Sequence, residues 1–202
     1  MMVTKSEIRQ RALRARRSVE YDELAELSRR VALKLFSLPE FRKARTMASY
    51  VAKTDEVQTV PIILRALSEG KRVIVPRTES SPKRLRFFEL RAFDELEAGN
   101  FGVLEPTTRK GRVTIPVSIG ESDAILVPLV AWDELGNRIG YGKGYFDAEL
   151  RSRRSAPAIG LGLESQRVDR VPATDRDVPL DIMVTERRVL RFSNRAGQSR
   201  HR

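Results

Sequence analysis

Between Gly136 and Asp147 the chain places glycines at 136, 140, 142 and 144 around Arg138 and Lys143, followed by Tyr145, Phe146 and Asp147. Glycines at alternate positions let a backbone turn its amides inward at positive φ and approach a ligand more closely than side chains permit. A phosphate suits such a surface. Arg138 and Lys143 add charge, and a helix starting near Gly144 adds the positive end of its dipole. Asp147 opposes that charge unless it holds a metal ion or meets the helix dipole itself. Neither common nucleotide fingerprint fits. A Walker A loop needs glycine where Asn137 stands and Ser or Thr where Gly144 stands, and a dinucleotide motif needs glycine where Tyr145 stands.

The elements around this loop indicate where it sits. Asp123-Ala124-Ile125-Leu126-Val127-Pro128 reads as a buried strand delivering the chain into it, which puts the loop at the carboxyl end of a parallel strand, where open α/β sheets bind ligands. Upstream, residues 46–52 read as a strand and residues 72–76 as a second. Between them runs a helix with Val60, Ile63, Leu64 and Leu67 on its apolar face, stopped by Gly70, which completes a βαβ unit with a right-handed crossover. Earlier still, Ile8, Ala12 and Ala15 mark one side of a first helix, with Lys5 and Arg9 neighbours on another. Ser18 reads as the N-cap of a second, carrying Leu24, Leu27, Val31 and Leu35 and ending before Pro39.

Residues 77–84 read as a charged loop, 85–90 as a strand and 93–106 as an irregular connection. After the glycine loop come a helix over about 144–154, strands at 158–162 and 181–185, and a loop over 168–179. The fold class is therefore α/β, three layers of helix, sheet and helix with a mainly parallel sheet. Residues 1–190 read as a single domain and 191–202 as a basic, flexible tail.

Composition narrows the chemistry. A chain of 202 residues, 41% hydrophobic, supports one packed domain without covalent staples. The absence of cysteine excludes zinc-thiolate sites, iron–sulfur clusters and thiol nucleophiles. The single histidine, His201, lies in the tail, away from any catalytic role. The net charge of +11 invites a nucleic-acid partner, yet residues 1–17 carry six Lys/Arg against one Glu and residues 187–202 six Arg against no acid, so the body between is neutral. The charged start is no secretory signal, and the apolar run 124–132, broken by Pro128, is far shorter than the ~20 residues a bilayer requires. A cytoplasmic protein without membrane contact is the expectation.

The stretch from Pro128 through Trp132-Asp133, Gly136, Arg138-Ile139-Gly140-Tyr141-Gly142-Lys143-Gly144-Tyr145-Phe146-Asp147 resembles the signature of the 5-formyltetrahydrofolate cyclo-ligase family. Other segments match in order over residues 5 to about 190. These are Lys5 and Arg9, Tyr50 through Asp55-Glu56, Gly70 to Pro76, Phe101-Gly102-Val103 with Glu105-Pro106, Gln166, and Val171-Pro172 through Asp177 to Glu186. The resemblance implies the architecture of the sugar-phosphate isomerase and CoA-transferase-like group. It also implies ATP-dependent closure of 5-formyltetrahydrofolate to 5,10-methenyltetrahydrofolate, with the formyl oxygen phosphorylated and then displaced by the neighbouring amine.

On that resemblance Arg138 and Lys143 are the catalytic residues and, with Lys5, Arg9 and the backbone of Gly140, Gly142 and Gly144, hold the ATP phosphates. Val51, Glu56, Phe101, Tyr141 and Tyr145 contact folate, Glu56 by accepting from pterin N–H groups. Asp147 and Asp181 are the implied magnesium ligands. Asp177 is either their neighbour or the start of a turn before Pro179. The implied partners are ATP and a folate, with one or several glutamates in its tail, bound by a monomer. Phe146, Ala148 and Arg176 depart from the family pattern, removing a hydroxyl, a cation and a histidine. Two competitors are another ATP- or phosphosubstrate-using enzyme on the same scaffold and a nucleic-acid-binding protein whose central site is vestigial.

Overall fold

The computed structural model describes residues 3–81, 83–107 and 115–192, with backbone alone at Ser80, Lys83 and Phe101. Helix α1 (Lys5–Arg17) begins at Thr4, whose hydroxyl accepts from the Glu7 amide while the Glu7 carboxylate accepts from the Thr4 amide at 2.8 Å. Its last turn carries Arg14, Arg16 and Arg17 at the negative end of the dipole. Ser18 does not cap the second helix. Its hydroxyl bonds back to the Ala15 carbonyl at 2.8 Å, closing α1, and Glu20 precedes α2 (Tyr21–Ser37). A serine side chain reaches a carbonyl three residues back as readily as an amide ahead, so local sequence does not choose between the two. Pro39 opens the short α3 (Pro39–Lys43), where its missing N–H is no loss.

Strand β1 (Thr46–Ala48), helix α4 (Val60–Ser68) and strand β2 (Arg72–Ser80) form the expected parallel unit, with Gly70 in a left-handed conformation after α4. There follow β3 (Lys83–Leu90), β4 (Leu96–Ala98), β5 (Leu104–Pro106), β6 (Pro116–Val117), β7 (Ala124–Val127), β8 (Ala131–Trp132), β9 (Arg138–Ile139), α5 (Tyr145–Ser152), β10 (Ala158–Leu161), β11 (Ile182–Val184) and β12 (Val189–Arg191). Eight strands make the main sheet in the order β12-β11-β10-β7-β1-β2-β3-β6. The run β11-β10-β7-β1-β2 is parallel, and β12, β3 and β6 add antiparallel edges.

Alternate residues of each parallel strand feed different cores. Met47, Val73, Val75, Leu126 and Ile159 pack with α2, α3 and α4, while Ala48, Ile74, Ile125, Val127 and Met183 pack on the other face with Leu150 of α5. Both faces are thus covered, which is why these strands read as continuous apolar runs. Helix α1 belongs to neither layer. Its Ile8 and Ala12 pack on Val130, Ala131 and Ile139, laying it over the segment that leaves β7.

The strand order decides where a ligand fits. From β1 the chain passes to β2 on one side, whereas β7, β10 and β11 lie on the other. The connections leaving β1 and β7 therefore diverge, opening a crevice at the carboxyl edge.

Four local expectations change. Strand β1 ends at Ala48, and Tyr50 and Val51 beyond it line the crevice. On α4 the buried residues are Ile62, Ile63 and Ala66, and Leu64 is 51% exposed, because a helix this short presents a narrower stripe, rotated by a residue. Residues 77–84 are mostly a hairpin arm: Arg77 faces Arg86, Thr78 faces Leu85, and Glu79 accepts from Arg84 and Arg86 at 2.8 Å each. Charges on the solvent side of a strand mimic a loop when read without their partners. At the far end β12 runs to Arg191, which pairs with Glu40, and the Phe192 amide donates to the Asp181 carbonyl, so chain assigned to the tail joins the sheet. Residues 193–202 lie outside the described residues.

Candidate active site

The glycine stretch opens as a hairpin, β8 against β9, with Asp133 as its internal brace. Asp133 is fully buried and accepts from the Leu135 and Asn137 amides, the Asn137 side chain and the Val171 amide at 2.9–3.0 Å. Its four bonds satisfy a carboxylate without any ligand. Gly136 turns the hairpin at φ +84, where a Cβ would sit 2.9 Å from the Phe192 ring.

Arg138 emerges from β9 and is 6% exposed. It donates to Asp147 Oδ1 at 2.9 Å and to the Val178 carbonyl, and burial pulls its pKa below the ordinary guanidinium value. The Val178 amide also donates to Asp147 Oδ1. Arg138 therefore anchors Asp147 beneath the loop, while exposed Lys143 has no acidic partner among the described residues.

Gly142 and Gly144 adopt positive φ as the alternating pattern suggests, whereas Gly140 does not, and its carbonyl accepts from Arg9 Nε at 2.8 Å. The Arg9 guanidinium lies so close to Gly142 that a Cβ there would stand 3.2 Å from it. One turn earlier on α1, Lys5 pairs with Asp177 Oδ2 at 2.5 Å. Burial raises the Asp177 carboxyl, but Lys5 and Thr174 outweigh it and hold the group below its usual value.

The other end of the crevice is built around Glu56, 5% exposed. Its Oε2 accepts from the Lys53 amide and its Oε1 from the Tyr141 hydroxyl, both at 2.8 Å. Tyr141 in turn accepts from Arg16 Nη2 at 2.6 Å, and Arg16 also holds Asp55 Oδ2 at 2.8 Å. Burial, then the Glu56 charge, push the Tyr141 hydroxyl above its ordinary value, so it stays a proton donor.

One cleft of about 490 Å³ connects the two ends. Lys5, Arg9, Val51, Glu56, Arg138, Gly140, Tyr141, Gly142, Lys143, Gly144, Tyr145 and Asp147 all line it, so most residues singled out in the sequence converge. Phe101 stands in a short 3-10 turn between β4 and β5, and its side chain lies outside the described structure.

Asp181 does not converge. Its Oδ2 accepts from Arg153 at 2.6 Å and from the Ala158 amide at 2.7 Å, tying the starts of β10 and β11, so it shares no cleft with Asp147. Its neighbour in sequence, Asp177, lines the cleft instead. Spacing could not separate the two aspartates, because which one reaches the cleft depends on the path of residues 177–180. Arg16 was missed outright. It shares the stripe of Ile8 and Ala12 at intervals of four, a signal that its charge obscured. Glu105 also lines the cleft, with Oε1 on the Thr78 amide at 3.1 Å.

The model of the 5-formyltetrahydrofolate cyclo-ligase family matches residues 1–186. The chain belongs to that family. The 5-formyltetrahydrofolate cyclo-ligase of Escherichia coli K12 is 30% identical over 185 residues, covering 90% of this chain and 98% of its own. A probable 5-formyltetrahydrofolate cyclo-ligase of Caenorhabditis elegans is 29% identical over 197 residues, covering 93% and 95%. Among solved structures, the 5,10-methenyltetrahydrofolate synthetase of Aquifex aeolicus is 33% identical with a TM-score of 0.81, covering 98% of this chain and 96% of that one. These relatives make the chain a ligase of the cyclo-ligase class with an α/β fold. Among the described residues no helix is long and apolar enough to cross a membrane.

Proposed function

We propose that this cleft closes 5-formyltetrahydrofolate to 5,10-methenyltetrahydrofolate while converting ATP to ADP and phosphate. The observation that carries the assignment is one cleft holding a cationic glycine loop at one end and a buried, hydrogen-bonded carboxylate at the other. In the first step the formyl oxygen attacks the γ-phosphorus and the bond to the ADP oxygen breaks. In the second, the neighbouring amine nitrogen bonds to the formyl carbon, the carbon–oxygen bond breaks, and phosphate and the amine proton leave. Phosphorylation converts a poor leaving oxygen into a good one, so the protein's work is to position, neutralise and exclude water.

Lys143, without an acidic partner among the described residues, and Lys5 and Arg9 on α1 supply cations for the phosphates. The amides of Gly142 and Gly144 and the start of α5 add partial positive charge. Glu56 accepts from pterin N–H groups, and Val51, Tyr145 and the Tyr141 ring form walls for the folate. Asp147 and Asp177 fit a magnesium ion. Each uses one oxygen internally, and among the described residues Asp147 Oδ2 and Asp177 Oδ1 have no hydrogen-bond partner. Magnesium takes one or two carboxylates together with phosphate oxygens, and when bound it would neutralise and orient the ATP phosphates.

Incubating the purified protein with 5-formyltetrahydrofolate, ATP and magnesium tests the assignment. The near-ultraviolet absorbance of the methenyl product should rise with one ADP per product. Absence of product from folded protein overturns it. Among the described residues a nucleic-acid partner gains no support: Arg187, Arg188 and Arg191 pair with Glu186, Glu164 and Glu40, and Arg16 is buried, while the rest of the basic end lies outside them. A cytoplasmic monomer is the companion proposal, checked by cell fractionation and by sedimentation of the pure protein.

A further inference from the structure

Behind the folate end of the cleft lies a buried charge that the proposed chemistry does not use. The Arg16 side chain is 2% exposed, and its guanidinium makes four contacts. Nε and Nη2 donate to Asp55 Oδ2 at 3.1 and 2.8 Å, Nη2 donates to the Tyr141 hydroxyl at 2.6 Å, and Nη1 donates to the Leu129 carbonyl at 3.4 Å. Nη1 also stands 3.8 Å from Glu56 Oε1. A rigid, always-charged fork is the one side chain that can serve these three acceptors and the Glu56 charge together.

We propose that Arg16 is a positioning residue for the folate end of the cleft, fixing the Tyr141 hydroxyl as a donor to Glu56 and holding the Glu56 carboxylate in place. The inference rests on the assignment of Glu56 to folate. A phenol has one proton. Because Arg16 fills the acceptor side of the Tyr141 oxygen, that proton is directed to Glu56 Oε1. Glu56 is then held at both oxygens, by Tyr141 and by the Lys53 amide, and each oxygen keeps a lone pair for a ligand N–H.

Charge follows the same geometry. The ionisable groups gathered around Glu56 are Arg16 from α1, Asp55 and Lys53 from its own loop, Tyr141 from the glycine loop and Tyr50 from the end of β1. Lys53 Nζ lies 4.3 Å from the centre of the Tyr141 ring, so it faces the phenol, whereas Arg16 is the cation within ion-pair distance of the Glu56 carboxylate. Removing Arg16 leaves two neighbouring carboxylates, one of them buried, with their charge uncompensated, and frees the Tyr141 hydroxyl and the Glu56 carboxylate to reorient. A Glu56 that has turned no longer presents both oxygens to a pterin-like N–H pair.

The test uses Arg16→Met and Arg16→Lys in the full-length protein, with kinetics in each substrate. Arg16→Met should raise KM for the formyl folate at least ten-fold while KM for ATP moves less than two-fold. Arg16→Lys, which restores the charge without the fork, should recover part of the folate KM defect and leave the rest. Folded Arg16→Met with an unchanged folate KM overturns the proposal, as does an equal rise in both KM values. Should Arg16→Met fail to fold, Tyr141→Phe cuts the same bridge and must show the same split between substrates, its absence overturning the proposal. Wild-type protein that makes no methenyl product sinks the functional assignment, whereas active wild type with an indifferent Arg16 sinks only this inference.

Discussion

Gly140 and Gly142 look equivalent in sequence, yet the structure makes opposite demands of them. Gly142 sits at φ +91, where an L residue costs about 1–2 kcal/mol, and a Cβ there stands 3.2 Å from the Arg9 guanidinium. To relieve that contact Arg9 must retreat from the Gly140 carbonyl, which it meets at 2.8 Å, at a cost of roughly 1–2 kcal/mol for a charged donor. Gly142→Ala is therefore expected to destabilise by about 2–4 kcal/mol, a fall in Tm of roughly 5–15 °C for a domain of this size. If the loop yields locally instead, the defect appears as a higher KM for ATP, because Arg9 has left the cleft wall. Gly140→Ala is the folding control: its φ is not positive and nothing lies within 4 Å of an added Cβ, so Tm should move by less than about 2 °C. Calorimetry and ATP-dependent kinetics on the two variants read this out. Equal Tm values, with the ATP KM of Gly142→Ala unchanged, refute the reasoning.

Further outcomes follow from the ion pairs. Asp147→Ala leaves the Arg138 side chain, 4% exposed, without its anion, and should cost about 2–3 kcal/mol in urea denaturation and raise the magnesium concentration needed for half activity. Asp181→Asn should lower Tm by loosening Arg153 and the start of β10, with the magnesium requirement unchanged; a raised requirement would return Asp181 to the metal. The Asp177 carboxyl is depressed in the folded state, so the Lys5 pair contributes above the ordinary aspartate pKa and is lost as pH falls through the lower folded value. Lys5→Met should accordingly be less stable than wild type near neutrality, by up to about 1 kcal/mol, with the gap closing as pH falls below the ordinary aspartate value in melts across pH.

What the sequence by itself determined is local. Apolar runs at 73–75, 124–127 and 158–161 have a strand's composition, and the glycines, Arg138 and Lys143 mark an anion-binding turn because backbone freedom and charge are carried by the residues themselves. The family signature likewise needs only order and spacing. Tertiary structure decided which distant groups meet. The order β10-β7-β1-β2 opened the crevice, and the hairpin from β2 to β3 turned a charged loop into a cross-strand ion-pair ladder. The path after Thr174 brought Asp177 rather than Asp181 to the cleft wall, and the rotation of α1 buried Arg16. A buried arginine is intelligible only beside Asp55, Glu56 and Tyr141, from other segments of the chain, because the desolvation of a charge is offset by partners that periodicity along one helix does not encode.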